Sequence, residues 1–426
     1  MGLGVVTAVT SSAVLWPAPD YATAAERVRV MFQSFGLDAA NPLGRWIQPG
    51  MTVVVKPNWV KHEFGPTAGR SVLFTHTALV RAFVDFTLTA LSGRGRVVVA
   101  DAPLQGCDFA RLRRQSGLAE MEHEYAGEQI TFLDLRQQWA EIDDSSSYVR
   151  GVHALPGDPR GYSMIDLGPR SRLMCFGVNA RYGVTDYQAR QRPVHCYPVS
   201  NSVLAADVIL NLPKLKTHMK TGMTGALKNF VGIIGAKDFL PHFRPGSPRT
   251  GGDEYPDRNW LSRAASPVRN VLQSSAPLWV WKAARAGART VSAPLIHGGG
   301  WYGNDTLWRT IHDLNDIARN YDPGGRLRPR PRTILTLVDA IVAGEDSGPL
   351  KPVPKSTGLL VWGEDPGIVD VTCATLMGFD WRRIPLLSHL CDPEARAFTE
   401  FRGETPKVPH TPFRAPIGWA GVIEAH

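Results

Sequence analysis

A cluster of lysines around one histidine is the part of the sequence whose residue types most directly point to chemistry. Basic side chains crowd together, with no acid before Asp238, in residues 211–238, which read NLPKLKTHMKTGMTGALKNFVGIIGAKD. They include Lys214, Lys216, His218, Lys220 and Lys228. Small residues separate the later ones, so backbone N–H groups can approach a ligand closely. An anion is the simplest counter-charge for this cluster.

The pattern around these lysines predicts a strand at 207–212, a basic loop, and a helix that begins near Thr224. Thr224, Gly225 and Asn229 then stand at a helix N-terminus, where N–H groups and a hydroxyl favour a phosphate or carboxylate. The motif is not a Walker A loop, because Lys228 is followed by Asn229. Clustered lysines lower one another's pKa, which is how a lysine becomes a general base or a nucleophile. We predict four catalytic residues, His218, Lys214, Lys216 and Lys228.

Polar residues also stand at the ends of other predicted strands. A β-branched run at 51–60 stops at Lys56 and Asn58, and His76 opens the helix that follows. Ligands of α/β sheets bind beyond the carboxyl ends of the strands. Ordinary turn chemistry is the alternative. The predicted substrate-binding residues are Lys56, Asn58, His76, Thr224, Gly225 and Asn229.

Acidic residues at further strand ends suggest a cation site. Asp101 ends the strand predicted within 95–106, and Asp339 and Glu345 lie in the apolar run 333–349. Carboxylate oxygens are the ligands that hard divalent cations such as Mg²⁺ prefer. We predict Asp101, Asp339 and Glu345 as its ligands, with Asp365 as a further candidate. His195 is a separate candidate for a direct role, because histidine changes charge near neutral pH.

Strand and helix patterns alternate along the chain as in an α/β protein. The strand at 51–60 precedes helical periodicity at 76–91 and a buried strand within 95–106. The same order recurs at 333–349 and 358–379. Strand, helix and strand in succession are typical of a parallel sheet. The sequence therefore predicts an α/β fold of mainly parallel sheets flanked by helices, in two lobes with an insertion rich in Pro, Gly and Arg.

These patterns divide the chain into four predicted segments. An N-terminal α/β lobe spans 1–200, and the basic strand, loop and helix span 201–238. An insertion or lid spans 239–325, and 326–426 complete the sheets. Tryptophans alternate with arginines at 260–290, a composition that suits peripheral contact with a membrane as well as a lid over the site.

Composition narrows the class of protein. The 426 residues are 43% hydrophobic and 20% charged, as in a folded soluble protein, and carry a formal net charge of +8. No basic run interleaved with aromatics resembles a nucleic-acid module, so we expect no nucleic-acid partner. The five cysteines form no C-x-x-C pair, which argues against an iron–sulfur cluster and for a reducing, cytoplasmic location. No apolar run is long enough to span a membrane, and no signal peptide is recognisable.

Five stretches along most of the chain together carry a family resemblance. They are KPNW at 56–59, DAP at 101–103, NLPKLKTHMKTGMTGALKN at 211–229, VDAIVAGEDSGP at 338–349 and EDPGIVDVTCATLMGFD at 364–380. In this order the chain resembles the domain-of-unknown-function family 362. Many members of that family carry an appended ferredoxin-like cysteine cluster, which this chain lacks.

A second, weaker similarity concerns the lysine cluster. The pattern His218-x-x-x-Gly222-x-Thr224-Gly225-x-x-Lys228 is similar to the H-x-x-x-G-x-S-G-G-x-K stretch of nickel-pincer lactate racemases. That resemblance implies that His218 moves a proton and that Lys228 binds a ligand. The sequence departs from that pattern, because an alanine follows Gly225 and no D-x-T-R-P motif is present.

The residues and the resemblances together predict an enzyme. We expect it to bind a small anionic substrate, carboxylate or phosphorylated, in a cleft rich in Lys and His, and to use acid/base or metal-assisted chemistry. Proton transfer of the isomerase or racemase kind is favoured over redox chemistry. The alternatives are a cofactor-dependent oxidoreductase or transferase, and a non-catalytic protein that binds a membrane surface in glycan or lipid assembly. The sequence does not identify the cofactor; a divalent cation is a candidate, and an iron–sulfur cluster is not expected.

Overall fold

A mixed sheet of nine strands organises the part of the chain that the structure describes. The computed structural model describes residues 13–62, 72–127, 129–143, 148–176, 195–258, 280 and 296–425. In chain order the strands are β1 (Ala13–Pro17), β2 (Thr52–Pro57), β3 (Arg96–Asp101), β4 (Ile130–Asp134), β5 (Gln138–Asp143), β6 (Tyr148–Ala154), β7 (Tyr162–Asp166), β8 (Cys196–Ser200), β9 (Val208–Leu212), β10 (Lys214–His218), β11 (Gly222–Thr224), β12 (Thr333–Glu345) and β13 (Val353–Gly363). Two smaller sheets pair β5 with β6 and β7 with β8.

Helices flank the sheet. They are α1 (Ala24–Ser34), α2 (Thr77–Leu91), α3 (Phe109–Ser116), α4 (Leu118–Glu124), α5 (Asn201–Leu204), α6 (Ala226–Asn229), α7 (Leu307–Asn320), α8 (Pro366–Leu376) and α9 (Pro385–Ser388). Within the residues described here, no helix is both long and apolar enough to cross a membrane.

The central strands are parallel, as predicted. The order is β1-β13-β12-β9-β2-β3-β4, and each contact from β12 through β9, β2 and β3 to β4 is parallel. Strands β1 and β13 add an antiparallel edge. The prediction of an α/β fold is confirmed. Strands from the predicted segments 1–200, 201–238 and 326–426 all belong to this one sheet, so the sheet crosses those predicted boundaries.

Both faces of the sheet are buried, which is why its strands are almost uniformly apolar. Val53 and Val55 of β2 face a core that α1 and α2 cover, whereas Val54 between them faces a second core. Leu314 and Ile317 of α7 pack into that second core. The covering layers fix the positions of the strands, and so fix the polar residues at the strand ends.

Strand β12 is long enough to pair with two successive strands. Its first residues pair in parallel with β9, up to Thr336 opposite Asn211. Its later residues pair with β10, and Lys214 lies opposite Asp339. Strand β10 then turns back antiparallel to β11. A hairpin of two strands therefore projects past the carboxyl ends of β2 and β3.

The hairpin corrects one prediction. Lys214, Lys216 and His218 were expected in a loop, but they lie on a strand. Their alternation with Leu215 and Thr217 has the two-residue period of a strand. This alternation is the local signal of the strand, and β12 supplies the backbone partners that extend it. The alternation places the three basic side chains on one face.

Candidate functional site

A buried ion pair joins the carboxyl ends of β2 and β3. Lys56 Nζ lies 2.6 Å from Asp101 Oδ1, and both side chains are almost wholly inaccessible to solvent. Asp101 Oδ2 accepts a hydrogen bond from the backbone N–H of Trp59 at 2.7 Å. Asn229 of α6 accepts from Lys56 Nζ at 3.3 Å and donates to the Lys56 carbonyl at 3.1 Å. Burial lowers the pKa of Lys56, and the charge of Asp101 opposes that shift. Both charged groups of this ion pair therefore have their hydrogen-bond partners inside the protein.

A second buried pair joins the start of β10 to the middle of β12. Lys214 Nζ lies 3.0 Å from Asp339 Oδ2 and 2.7 Å from the hydroxyl of Tyr21. Tyr21 donates to Asp339 Oδ1 at 2.9 Å, and the backbone N–H of His76 donates to Asp339 Oδ2 at 3.0 Å. The rings of Tyr21 and His76 stack with centroids 3.7 Å apart. Burial lowers the pKa of Lys214, and Asp339 again opposes the shift. His76 therefore positions this pair and caps α2.

Lys216 is buried without a carboxylate partner in the described structure. Its Nζ donates to Asn58 Oδ1 at 2.7 Å and to the Leu73 carbonyl at 2.9 Å. Burial lowers the pKa of Lys216 well below its ordinary value, and the neighbouring Lys214 and Lys228 lower it further. A neutral amine has two N–H groups, which these two acceptors satisfy. The nitrogen lone pair then has no donor among the residues described.

His218 is held in one orientation by its Nδ1 atom. The backbone N–H of Lys220 donates to Nδ1 at 3.1 Å, and the Thr221 hydroxyl lies 3.0 Å from the same atom. Because an N–H can only donate, Nδ1 is the acceptor, and in the neutral ring Nε2 carries the proton. Burial lowers the pKa of His218 well below its usual value, with Lys228 as the largest charge that adds to the effect. His218 is therefore a neutral ring with an Nε2–H donor.

Two polar groups, one on strand β11 and one on helix α6, lack partners in the described structure. The Lys228 ammonium makes no hydrogen bond or ion pair with any residue that the structure describes, and burial with the nearby Lys220 lowers its pKa to about 8. The Thr224 hydroxyl is buried without a hydrogen-bond partner there too. Thr224 lies directly opposite Lys216 across the hairpin, and residues opposite each other share a face. We call Lys216, His218, Thr224 and Lys228 the anion face.

The short helix α6 is not the predicted anion site. Asp370 of α8 accepts hydrogen bonds from the backbone N–H groups of Ala226 and Leu227 at 2.5 and 2.9 Å. A Cβ on Gly225 would overlap the Asp370 carboxylate. Burial raises the pKa of Asp370 to about 7. Gly225 thus makes room for an internal carboxylate rather than for a ligand. The sequence did not indicate this contact, because Asp370 lies far from Gly225 along the chain.

The three predicted metal ligands do not form one site. Asp101 is held by Lys56, and Asp339 is held by Lys214. Glu345 accepts from Arg414 Nε at 2.9 Å and lies 3.4 Å from Lys355 Nζ. The structure corrects this prediction, because each carboxylate faces a different cation. Asp365, the further candidate, accepts N–H groups at the start of α8 and acts as its cap.

Sequence inspection missed several residues that hold the site. Tyr21 joins the second ion pair from outside every predicted motif. Lys237 Nζ donates to the Ala102 carbonyl at 2.7 Å, and burial lowers its pKa to about 7. A Cβ on Gly232 would overlap Asp101, so only glycine lets that turn approach the first ion pair. The two glycines of GIIG, at 232–235, are the feature of the sequence that could have predicted such close packing.

Two cavities lie away from the anion face. One, of about 320 Å³, is lined by Phe379, Trp381 and His410 among others. The other, of about 240 Å³, is lined by Arg319, Arg332 and Glu364 among others. No residue of the anion face lines either one, so the electrostatics and the unpartnered groups, rather than cavity size, indicate the site.

The comparisons with known proteins identify a family without an assigned activity. Residues 174–375 match the model of DUF362, a domain of unknown function. Through these residues the chain belongs to the DUF362 family. The DUF362 match includes the whole anion face and Asp339, whereas Lys56 and Asp101 lie before it. No curated protein matches the chain.

One solved structure is similar in outline. It is the crystal structure of a protein from Thermotoga maritima, with 10% sequence identity and a TM-score of 0.34. The alignment covers 82% of this chain and 58% of that one, so the DUF362 chain spans little more than half of the other protein's length. The resemblance to lactate racemases stays a prediction.

Several predictions are not tested by the structure. The segment 260–290 lies outside the described residues, except for position 280, so membrane contact and a lid remain predictions. The cofactor-dependent alternative, the absence of a nucleic-acid partner and of an iron–sulfur cluster, and the cytoplasmic location also remain predictions for this DUF362 protein.

Replacement of Gly232 tests the importance of the first ion pair. Gly232→Ala should lower the free energy of unfolding by about 1 to 3 kcal/mol, because the new methyl group displaces the Asp101 carboxylate from Lys56. Gly151→Ala on β6 is the control, since its Cβ would make only an ordinary contact with the exposed ring of His153. Urea unfolding measures both. Equal stability of the two variants would contradict the role assigned to Gly232.

Lys228 should destabilise the folded protein at neutral pH. Its pKa falls from 10.5 to about 8 on folding, so the unfolded chain binds more protons between these values and stability rises with pH there. Lys228→Met removes the effect. We expect the variant to be more stable than the wild type by about 1 to 2 kcal/mol below pH 8, allowing for partial solvent screening. The difference should shrink as pH approaches 10.5.

Urea unfolding across this pH range measures the difference. Lys351→Met serves as the control because Lys351 is exposed. A Lys228→Met variant that is less stable than the wild type at neutral pH would show that Lys228 has a stabilising partner.

Proposed function

We propose that this protein is an enzyme that binds a small anion, a carboxylate or phosphorylated compound, on the anion face and transfers a proton at it. The observation that carries the proposal is the partly buried Lys228 ammonium, which makes no hydrogen bond or ion pair with a described residue, although the charge of Asp101 acts on it from a distance. A partly buried ammonium without a direct partner is less favourable than one in water or in an ion pair, and an anionic ligand would supply the missing partner. The ion pairs of Lys56 and Lys214 need no such ligand.

The groups around Lys228 suit an anionic ligand. The Thr224 hydroxyl is a donor without a partner, and the His218 Nε2–H is a second donor whose direction is fixed by the bond at Nδ1. Fixed donors and a cation stabilise negative charge that develops on a substrate oxygen, and this stabilisation often contributes more to catalysis than any other effect. A neutral histidine can act in this way without leaving a charged ring. Lys228 and Thr224 hold the anion, and His218 donates toward the developing oxyanion.

Lys216 is the base of this proposal. Asn58 and the Leu73 carbonyl take the two N–H groups of a neutral amine, and burial favours that neutral form. The remaining lone pair can accept a proton from a carbon next to the substrate's carboxylate. The electron pair of the broken C–H bond moves onto the carboxylate, whose added negative charge Lys228 stabilises. Return of the proton to a neighbouring carbon completes an isomerisation, whereas racemisation requires a proton delivered to the opposite face of the same carbon. The arrangement requires neither the predicted metal nor the helix N-terminus.

Exchange of substrate hydrogen with solvent tests the base. The protein is incubated in D₂O with a panel of 2-hydroxy and 2-amino carboxylates, and loss of the α-proton is followed by ¹H NMR. Lys216→Met should reduce the exchange rate by roughly 10²- to 10⁴-fold, the usual contribution of a general base. Lys351→Met should leave it unchanged. Retained exchange in Lys216→Met would refute the assignment.

The pH dependence of that exchange distinguishes Lys216 from an ordinary lysine. Because burial lowers its pKa well below that of a solvated lysine, more of the amine is unprotonated at any given pH. The rate should therefore reach its plateau at a lower pH than it would with a solvated lysine as the base. A rate that rises steeply toward pH 10 would assign the base to a solvated lysine instead.

Anion binding tests Lys228 independently of turnover. Inorganic phosphate and oxalate are titrated calorimetrically into the protein near neutral pH. Loss of one charge-assisted hydrogen bond is worth about 1.5 to 3 kcal/mol, so Lys228→Met should weaken binding roughly 10- to 100-fold. Thr224→Val should weaken it less, and Lys351→Met not at all. Equal affinity in wild type and Lys228→Met would show that the anion does not bind at Lys228.

A further inference from the structure

A second cluster of reactive side chains lies outside the anion face, on the small β7–β8 sheet. Asp166, His195 and Cys196 each place one ligand atom within 4.8 Å of the other two. His195 Nδ1 lies 2.6 Å from Asp166 Oδ1 and 3.7 Å from Cys196 Sγ. Among the described residues no other trio of His, Cys, Asp or Glu groups meets in this way.

The backbone holds the three side chains in place. Asp166 and Cys196 are direct partners in the antiparallel pairing of β7 with β8, so their side chains share a face. The backbone N–H of Leu167 donates to the His195 carbonyl at 3.0 Å and fixes the approach of His195. Asp166 Oδ1 also accepts from the Gly168 N–H at 2.8 Å. The cluster is therefore preorganised by the fold.

The geometry does not suit a cysteine nucleophile. In a catalytic triad the histidine takes the thiol proton with one ring nitrogen, while a carboxylate orients the ring through the other nitrogen. Here the carboxylate of Asp166 and the thiol of Cys196 both approach Nδ1 of His195. Burial and the carboxylate also raise the pKa of Cys196, the opposite of what activates a thiol. Three ligand atoms of different types within 4.8 Å of one another instead fit the spacing of a metal site.

We propose that Asp166, His195 and Cys196 bind a divalent transition metal ion of the zinc class. One oxygen, one nitrogen and one sulfur ligand suit a borderline-soft ion such as Zn²⁺. Zinc bond lengths place neighbouring ligand atoms of a tetrahedral site about 3.3 to 3.6 Å apart. The nitrogen-to-sulfur distance is already close to that value, and the nitrogen-to-oxygen distance opens by less than 1 Å when the metal replaces the shared proton. The fourth position is left to solvent or an exogenous ligand.

Metal binding at this cluster releases protons. Cysteine binds zinc as the thiolate, and the proton between Asp166 and His195 is displaced. Affinity should fall as the pH falls, because protons compete for the same atoms. The side chain of Asp166 is 62% exposed, whereas that of His195 is only 12% exposed, so the metal enters from the carboxylate side.

Cobalt(II) is the probe that tests this proposal, because it reports on thiolate ligation through its absorbance. The full-length, metal-stripped protein is titrated with Co²⁺ and then with Zn²⁺. We expect one equivalent of Co²⁺ to give a thiolate-to-cobalt charge-transfer band, and Zn²⁺ to remove it by displacement. Cys196→Ser should abolish the band, and Asp166→Asn and His195→Ala should each weaken binding by roughly tenfold or more.

The controls separate this site from adventitious binding. Cys175→Ser removes an exposed thiol outside the cluster and should leave the band intact. Circular dichroism establishes that each variant is folded, and Asp166→Asn probes the site without changing the thiol. A wild-type protein that gives no band, or a band that survives Cys196→Ser, would overturn the proposal. Loss of the band in Cys175→Ser would place the metal elsewhere.

Discussion

The pairing of buried lysines with buried aspartates is the interaction on which the rest of the site depends. Lys56 meets Asp101 at the carboxyl ends of β2 and β3, and Lys214 at the start of β10 meets Asp339 within β12. Each charge alone would be strongly unfavourable in the interior, so loss of either partner would destabilise the fold. Because the partners lie on different strands, the pairs fix the strand ends relative to one another. The anion face is built on that frame.

The buried lysines differ in whether a carboxylate among the described residues compensates their charge. Two of the lysines at the strand ends have internal carboxylates, and their positive charge is compensated. Lys216 and Lys228 have no such partner in the described structure, and burial lowers the pKa of both. In the proposed function, Lys216 serves as the neutral amine and Lys228 as the cation that binds the anion. Such a site would trade stability for binding, as functional sites commonly do.

Much of the fold was predictable because its signals are local. The β-branched runs that became β2 and β3, and the helical period of α2, predict a parallel sheet by themselves. The site was predictable in its residue types but not in its contacts. Asp370 fills the helix N-terminus expected for the ligand, and Tyr21 enters the second ion pair, from positions far away in sequence. Nothing in the local pattern encodes such partners.

The sequence by itself determined the α/β class, the polar strand ends and the basic character of the site, since each follows from periodicity and residue type. The tertiary structure alone decided which charges are compensated. Long-range pairing turned a predicted loop into a hairpin along β12 and assigned Asp101, Asp339 and Glu345 to separate cations. The physical reason is that the pKa and the partners of a buried group depend on what packs against it, and packing joins residues that are distant in the chain.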